Sequence, residues 1–140
     1  MARTEFPIDF RTLVPDARPR RWLVLPEEFQ AAAPPDQVSP VFAADPGALL
    51  AAFEAVALGA ARTEAANSST TQREFVQRSK VFRFPDYVTV EAVAVEGGSA
   101  LCAYSRAVVG RYDFKVNEKR LGAWIEATAA RLAQAEGSAK

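Results

Sequence analysis

The sequence predicts an α+β fold, an antiparallel sheet of four to five strands with two main helices packed on one face. Three observations predict it. Asp45-Pro46 opens an apolar stripe at helical spacing. A β-branched run over residues 87–95 returns on itself across Glu96-Gly97-Gly98-Ser99. A second amphipathic stripe begins at Asn117.

Residues 1–20 read as an extended arm. Pro7, Pro15, Pro19, Pro26, Pro34, Pro35 and Pro40 forbid a long helix over the first forty residues. Arg18, Arg20 and Arg21 form a solvated basic lead-in, the alternative being a contact with an acidic partner. The apolar run 22–25 is an edge strand or a pinned extended segment. In the first helix Leu49, Phe53 and Val56 share one stripe, with Leu50 and Ala57 beside it, and Gly59 is the terminator.

Residues 62–107 read as strands. REFVQR, 73–78, alternates polar and apolar, and residues 82–85 form a proline-marked link. A tip at Gly97-Gly98 sets Val95 opposite Ala100, Glu91 opposite Tyr104 and Thr89 opposite Arg106. Alternation then puts Val88, Val90, Ala92 and Ala94 with Leu101, Ala103 and Ser105 on a helix-facing side. Glu91, Tyr87, Tyr104 and Arg106 fall on a mixed, partly covered side. The last helix carries Leu121, Trp124, Ile125, Thr128 and Leu132 inward, and Gly122 suggests a close helix–sheet approach. The single domain spans 21–135, with a disordered tail over 136–140.

At 140 residues, 49% hydrophobic and 24% charged, the chain is an ordinary globular domain. Lys plus Arg equals Asp plus Glu, 17 of each, so no global charge draws it to nucleic acid. The chain has no histidine, which excludes His-dependent triads and the commonest transition-metal ligand. The lone Cys102 excludes an intrachain disulfide and sits in an apolar strand, as a small buried hydrophobe does. Charges and a proline interrupt the N-terminus, and no window is apolar enough for a membrane span, so a cytoplasmic location is expected.

The candidate site residues are Arg78, Ser79, Asp86, Ser105, Arg106, Asp113, Asn117 and Arg120. Arg106, Arg111 and Arg120 are expected to converge with Asp113 and Asn117 around one helix start, while Arg78-Ser79 end another strand and Asp86 lies in the proline-marked link. Arg106 pairs with Glu91 across strands, or forks with Arg78 toward an anion. Asp113 bonds loop amides or an arginine, or joins Asp86 as a pair of acid–base carboxylates. Asn117, as helix cap, satisfies the first amides or leaves them to an anion. Tyr87 and Tyr104 suggest an aromatic-lined groove on the mixed face. No cofactor and no metal are implied.

Three readings stand. The first is a non-enzymatic binding domain for a small anionic ligand or an acidic partner segment, acting as monomer or homodimer. The second is a hydrolase-like enzyme using paired carboxylates, and no catalytic motif decides for it. The third is a structural or assembly subunit whose polar motif clasps the last helix.

Arg78-Ser79, the FRFPDYV step reaching Asp86, Ser105-Arg106, Gly110, Asp113-Phe114, Val116-Asn117 and Arg120 together resemble the DUF1499 family. SPVF at 39–42 is similar to the family's N-terminal part, and the resemblance spans about residues 20–130. The family pattern has glycine where Lys115 stands, serine at Tyr112 and a basic residue at Glu118. The resemblance implies the domain boundaries and the polar motif, and no activity.

Overall fold

The computed structural model describes residues 5–110 and 113–138, and its sheet grows outward from one hairpin. β5 (Pro85–Val95) and β6 (Gly98–Ala107) pair with Val95 opposite Gly98, Glu91 opposite Cys102 and Tyr87 opposite Arg106. This register lies two residues away from the expected one. The tip is Glu96-Gly97, and Gly98 is already paired. Gly98 has φ 146°, and a Cβ there would stand 1.9 Å from the Phe42 carbonyl oxygen, so only glycine fits. A slip of two is one full pleat period, so every side chain keeps its expected face.

Four more strands complete the sheet: β1 (Arg21–Leu25), β2 (Gln37–Val38), β3 (Thr63–Ser68) and β4 (Gln72–Arg78). Their order is β2-β1-β6-β5-β4-β3, with β1 and β2 parallel and the other neighbours antiparallel. The sheet thus has six strands and not four to five. β2 is too short for a periodic signal, and the TEAANS of β3 is almost wholly exposed and lacks apolar alternation. The run 22–25 is interior rather than an edge, with β2 on one side and β6 on the other.

α1 (Pro46–Gly59) and α2 (Val116–Ser138) cover one face. Asp45 caps α1 through Oδ1, which accepts from the Ala48 amide at 2.9 Å, and Pro46 occupies the first turn. Phe53, Phe75 and Trp124 meet between helices and sheet, their ring centroids 5.9–6.5 Å apart. Leu121, Ile125 and Thr128 turn inward as the spacing requires. Gly122 makes no close approach, because a Cβ there would meet nothing within 4 Å. Asn117 lies inside the first turn of α2 rather than at its cap, and the side chain of Asp113, just before the helix, satisfies amides at its start. Asp113 Oδ1 accepts from the Lys115 amide at 2.9 Å and Oδ2 from the Asn117 amide at 3.1 Å. No helix among the described residues is long and apolar enough to cross a membrane.

The opposite face, expected to be partly open, carries a second core. Ile8 and Phe10 of the N-terminal segment pack with Leu23, Leu25, Cys102 and Tyr104. The Ile8 amide donates to Gln72 Oε1 at 2.9 Å, and the Asp16 amide donates to the Tyr104 hydroxyl at 2.8 Å. Burial pushes the Cys102 thiol up to about 12, with the Glu91 charge adding to it. The basic lead-in is not solvated throughout. Arg20 is buried, ion-pairs with Asp16 and donates to the Gly110 carbonyl at 2.7 Å, while Arg21 pairs with Asp36.

Candidate functional site

Side chains alternate across a strand, so Ser105 and Arg106 enter different networks. On the helix side, Gln77 of β4 lies beside Asp86 of β5, and Asp86 opposite Ala107 of β6. Asn117 and Arg120, three apart on α2, descend onto that row. Arg120 donates to Gln77 Oε1 at 2.6 Å, Asp86 Oδ2 at 3.0 Å, Ser105 Oγ at 3.0 Å and Asn117 Oδ1 at 2.6 Å. Ser105 donates to Asn117 Oδ1 at 2.6 Å. Asn117 Nδ2 reaches Asp113 Oδ2 at 2.6 Å and the Arg20 carbonyl at 3.1 Å. One buried asparagine therefore ties α2, Asp113, β6 and the chain entering β1.

On the other side, Arg106 donates to Glu74 at 3.1 Å and to the Thr89 hydroxyl at 2.8 Å, and Thr89 donates to Glu74 at 3.0 Å. Its guanidinium lies 5.0 Å from the Tyr104 ring centroid. The expected Arg106–Glu91 pair does not form, because the two-residue shift sets Glu91 against Cys102, where Gln72 donates to it at 2.7 Å. Nor do Arg78 and Arg106 fork together. β5 separates their strands, and Arg106 is 2% exposed. Tyr104 is buried beneath the N-terminal segment, so no open aromatic groove joins it to Tyr87.

A cleft of about 390 Å³ opens at the end of the sheet. Arg78, Ser79, Asp86, Asp113 and Arg120 line it, which brings together five of the eight expected residues. Ser105, Arg106 and Asn117 are buried and do not line it. Phe84, Val109, Phe114 and Val116 supply apolar walls. At the rim, Arg62 donates to the Arg78 carbonyl at 2.9 Å, and Arg78 to the Arg83 carbonyl at 3.3 Å. Neither has a carboxylate partner among the described residues. The Ser79 hydroxyl accepts from the Phe84 amide at 2.9 Å and so closes the loop between β4 and β5. Arg111 and Tyr112 lie outside the described residues.

Burial raises the Asp86 carboxyl above the usual aspartate range; Arg120 opposes this, and the nearby Asp113 charge adds to it. Asp113 is engaged by two amides and the Asn117 side chain. No group of three or more acidic or thiol side chains that would hold a metal ion converges among the described residues. Sequence reasoning missed Arg62, Gln77 and Glu74. The alternation of REFVQR marked a strand, but nothing local sets the β4–β5 register that brings Glu74 to Thr89 and Gln77 to Asp86.

A family model described as a protein of unknown function (DUF1499) matches residues 22–128, which hold all eight expected site residues. No curated protein matches the chain.

Proposed function

We propose that the chain, which belongs to the DUF1499 family by a match over most of its length, is a binding domain for a small amphipathic anion. The observation that carries this is the pair Arg62 and Arg78 at the rim of the cleft, each bonded only to main-chain carbonyls among the described residues. Guanidinium groups with spare donors beside a partly apolar cavity suit a carboxylate or phosphate head on a hydrophobic body. The head lies between Arg62 and Arg78, and the body against Phe84, Val109 and Val116. Asp86 lines the cleft with its carboxylate bonded to Arg120 at 3.0 Å, and burial raises its pKa against that pull. Ser105, Arg106 and Asn117 serve as framework behind the cleft.

Paired-carboxylate hydrolysis has less support. Acid–base division needs two carboxylates free to exchange protons in separated environments. Asp113 spends both oxygens on the start of α2. A pure clasp accounts for Asn117 and Arg120 but leaves Arg62 and Arg78 without a role.

Titration calorimetry with octanoate, octyl phosphate and octanol tests the reading. Saturable binding of either anion, absent for octanol and weakened about tenfold or more by Arg78→Ala, is the expected result. An acidic peptide that binds while both octyl anions do not would replace the small ligand with a partner segment. Absence of binding by every anionic probe overturns the reading.

A further inference from the structure

We infer that the end of the molecule carrying the loop over residues 79–84 docks onto the surface of a bilayer containing anionic lipids. Val81 and Phe82 are 76% and 74% exposed, and Phe84 is 48% exposed. Phe82 stacks on Phe84 with ring centroids 5.5 Å apart and planes 16° from parallel. The loop is built rather than slack. Ser79 and Phe84 bond through amide to carbonyl and amide to hydroxyl, both at 2.9 Å. Across the cleft, Phe114 is 80% exposed.

Cations surround these apolar tips. Lys80 and Arg83 flank Val81 and Phe82 in the chain, and Lys115 follows Phe114, all three exposed. Asp86 is turned to Arg120 and Asp113 to the start of α2, and Glu118 lies on the side of Phe114 and Lys115 away from the cations of the 79–84 loop. Apolar tips ringed by cations match an interface of acyl chains beneath anionic headgroups.

The size of the patch separates a bilayer from a folded partner. At about 150–250 Å² for a whole aromatic side chain, Val81, Phe82, Phe84 and Phe114 together offer roughly 500 Å² of apolar surface. A stable protein interface needs about 800 Å² on each side with matched shape. A bilayer needs no matching shape and accepts projecting rings singly.

Phe84 and Phe114 also line the cleft, but the residues substituted in the test, Lys80, Phe82 and Arg83, do not, so its outcome is distinguishable from that of the ligand reading. Its test is co-sedimentation of the full chain with two kinds of vesicle. One is phosphatidylcholine alone; the other contains about one-third phosphatidylglycerol. The expected result is binding to the second kind only, falling with added salt. Phe82→Ser and the double substitution Lys80→Ser/Arg83→Ser each weaken it about tenfold at unchanged melting temperature. Failure to pellet with anionic vesicles at low salt overturns the inference, as does binding that both variants leave intact. A dimer abolished by Phe82→Ser, with no vesicle binding, also overturns it and assigns the patch to a second copy of the chain.

Discussion

Ser105 and Arg106 are adjacent in β6 and serve opposite faces of the sheet, Ser105 bonding Asn117 at 2.6 Å and Arg106 bonding Glu74 at 3.1 Å. A motif contiguous in sequence is thereby divided by the sheet. Its Ser105 half anchors α2 at the back of the cleft. Its Arg106 half sits in the layer between the sheet and the N-terminal segment, with side chains 3% and 0% exposed for Arg106 and Glu74.

The Arg106 half makes a clear prediction. Removing one member of a buried pair leaves the other charge uncompensated, at a cost of about 3–5 kcal/mol. Arg106→Met and Glu74→Leu should each destabilise by that order in urea denaturation. The double variant Glu74→Leu/Arg106→Met should recover at least about 1–2 kcal/mol of the summed loss. Strict additivity would show that the two residues do not act as a pair.

Much of the fold was legible because the relevant signals tolerate small errors. The hairpin register was two residues off, yet Leu101, Ala103 and Ser105 kept their face, since the pleat repeats every two residues. The start of α2 was not legible in the same way. Asp113 and Asn117 are both good cap residues, and the choice rests on the burial of Asn117 against Ser105, a contact between distant segments. The partner of Arg106 was hidden for a related reason. The link 79–84 carries no two-residue hairpin signal in its sequence, so nothing local announces that Glu74 meets Thr89. The prolines of the first forty residues announced an extended path but not the face it covers. The cleft residues Arg78, Ser79 and Asp86 were found through motif, whereas Arg62 belongs to no pattern at all.

Gly122 tests the reading of α2. A glycine inside a helix costs about 1 kcal/mol relative to alanine, and the space around its missing Cβ is open. Gly122→Ala should raise the melting temperature by roughly 3–4 °C. A fall would mean that this face of the helix is covered.

Lys115 tests the strain in the turn before α2. Its φ is 67°, a left-handed conformation that costs a side-chain-bearing residue about 1–2 kcal/mol. A glycine here, which the resemblance implies, adopts this conformation without that cost. Glycine's greater freedom in the unfolded chain offsets part of the gain, so Lys115→Gly should stabilise by roughly 0.5–1 kcal/mol. The readout is the urea midpoint at constant slope. A loss of stability would show that the Lys115 side chain contributes more than its backbone strain costs.

Asp86 tests the electrostatics of the floor. Its carboxyl is raised above 3.8 by burial, against the pull of Arg120 and with the Asp113 charge adding to the rise. The folded state therefore holds this proton more tightly than the unfolded state. The resulting stability is fully present below the unfolded value and is lost as pH rises through the folded one. Asp86→Asn cannot ionise and keeps the shape of the protonated form. Below pH 3.8 the variant and the parent should differ little in this contribution. As pH rises above it, the variant should gain on the parent in melting temperature and level off once Asp86 is fully ionised in the folded parent. The comparison between the two proteins cancels the titration of the other carboxylates. The opposite trend, with the parent gaining as pH rises, would mean that the Arg120 contact outweighs burial and that Asp86 is held ionised as a permanent partner.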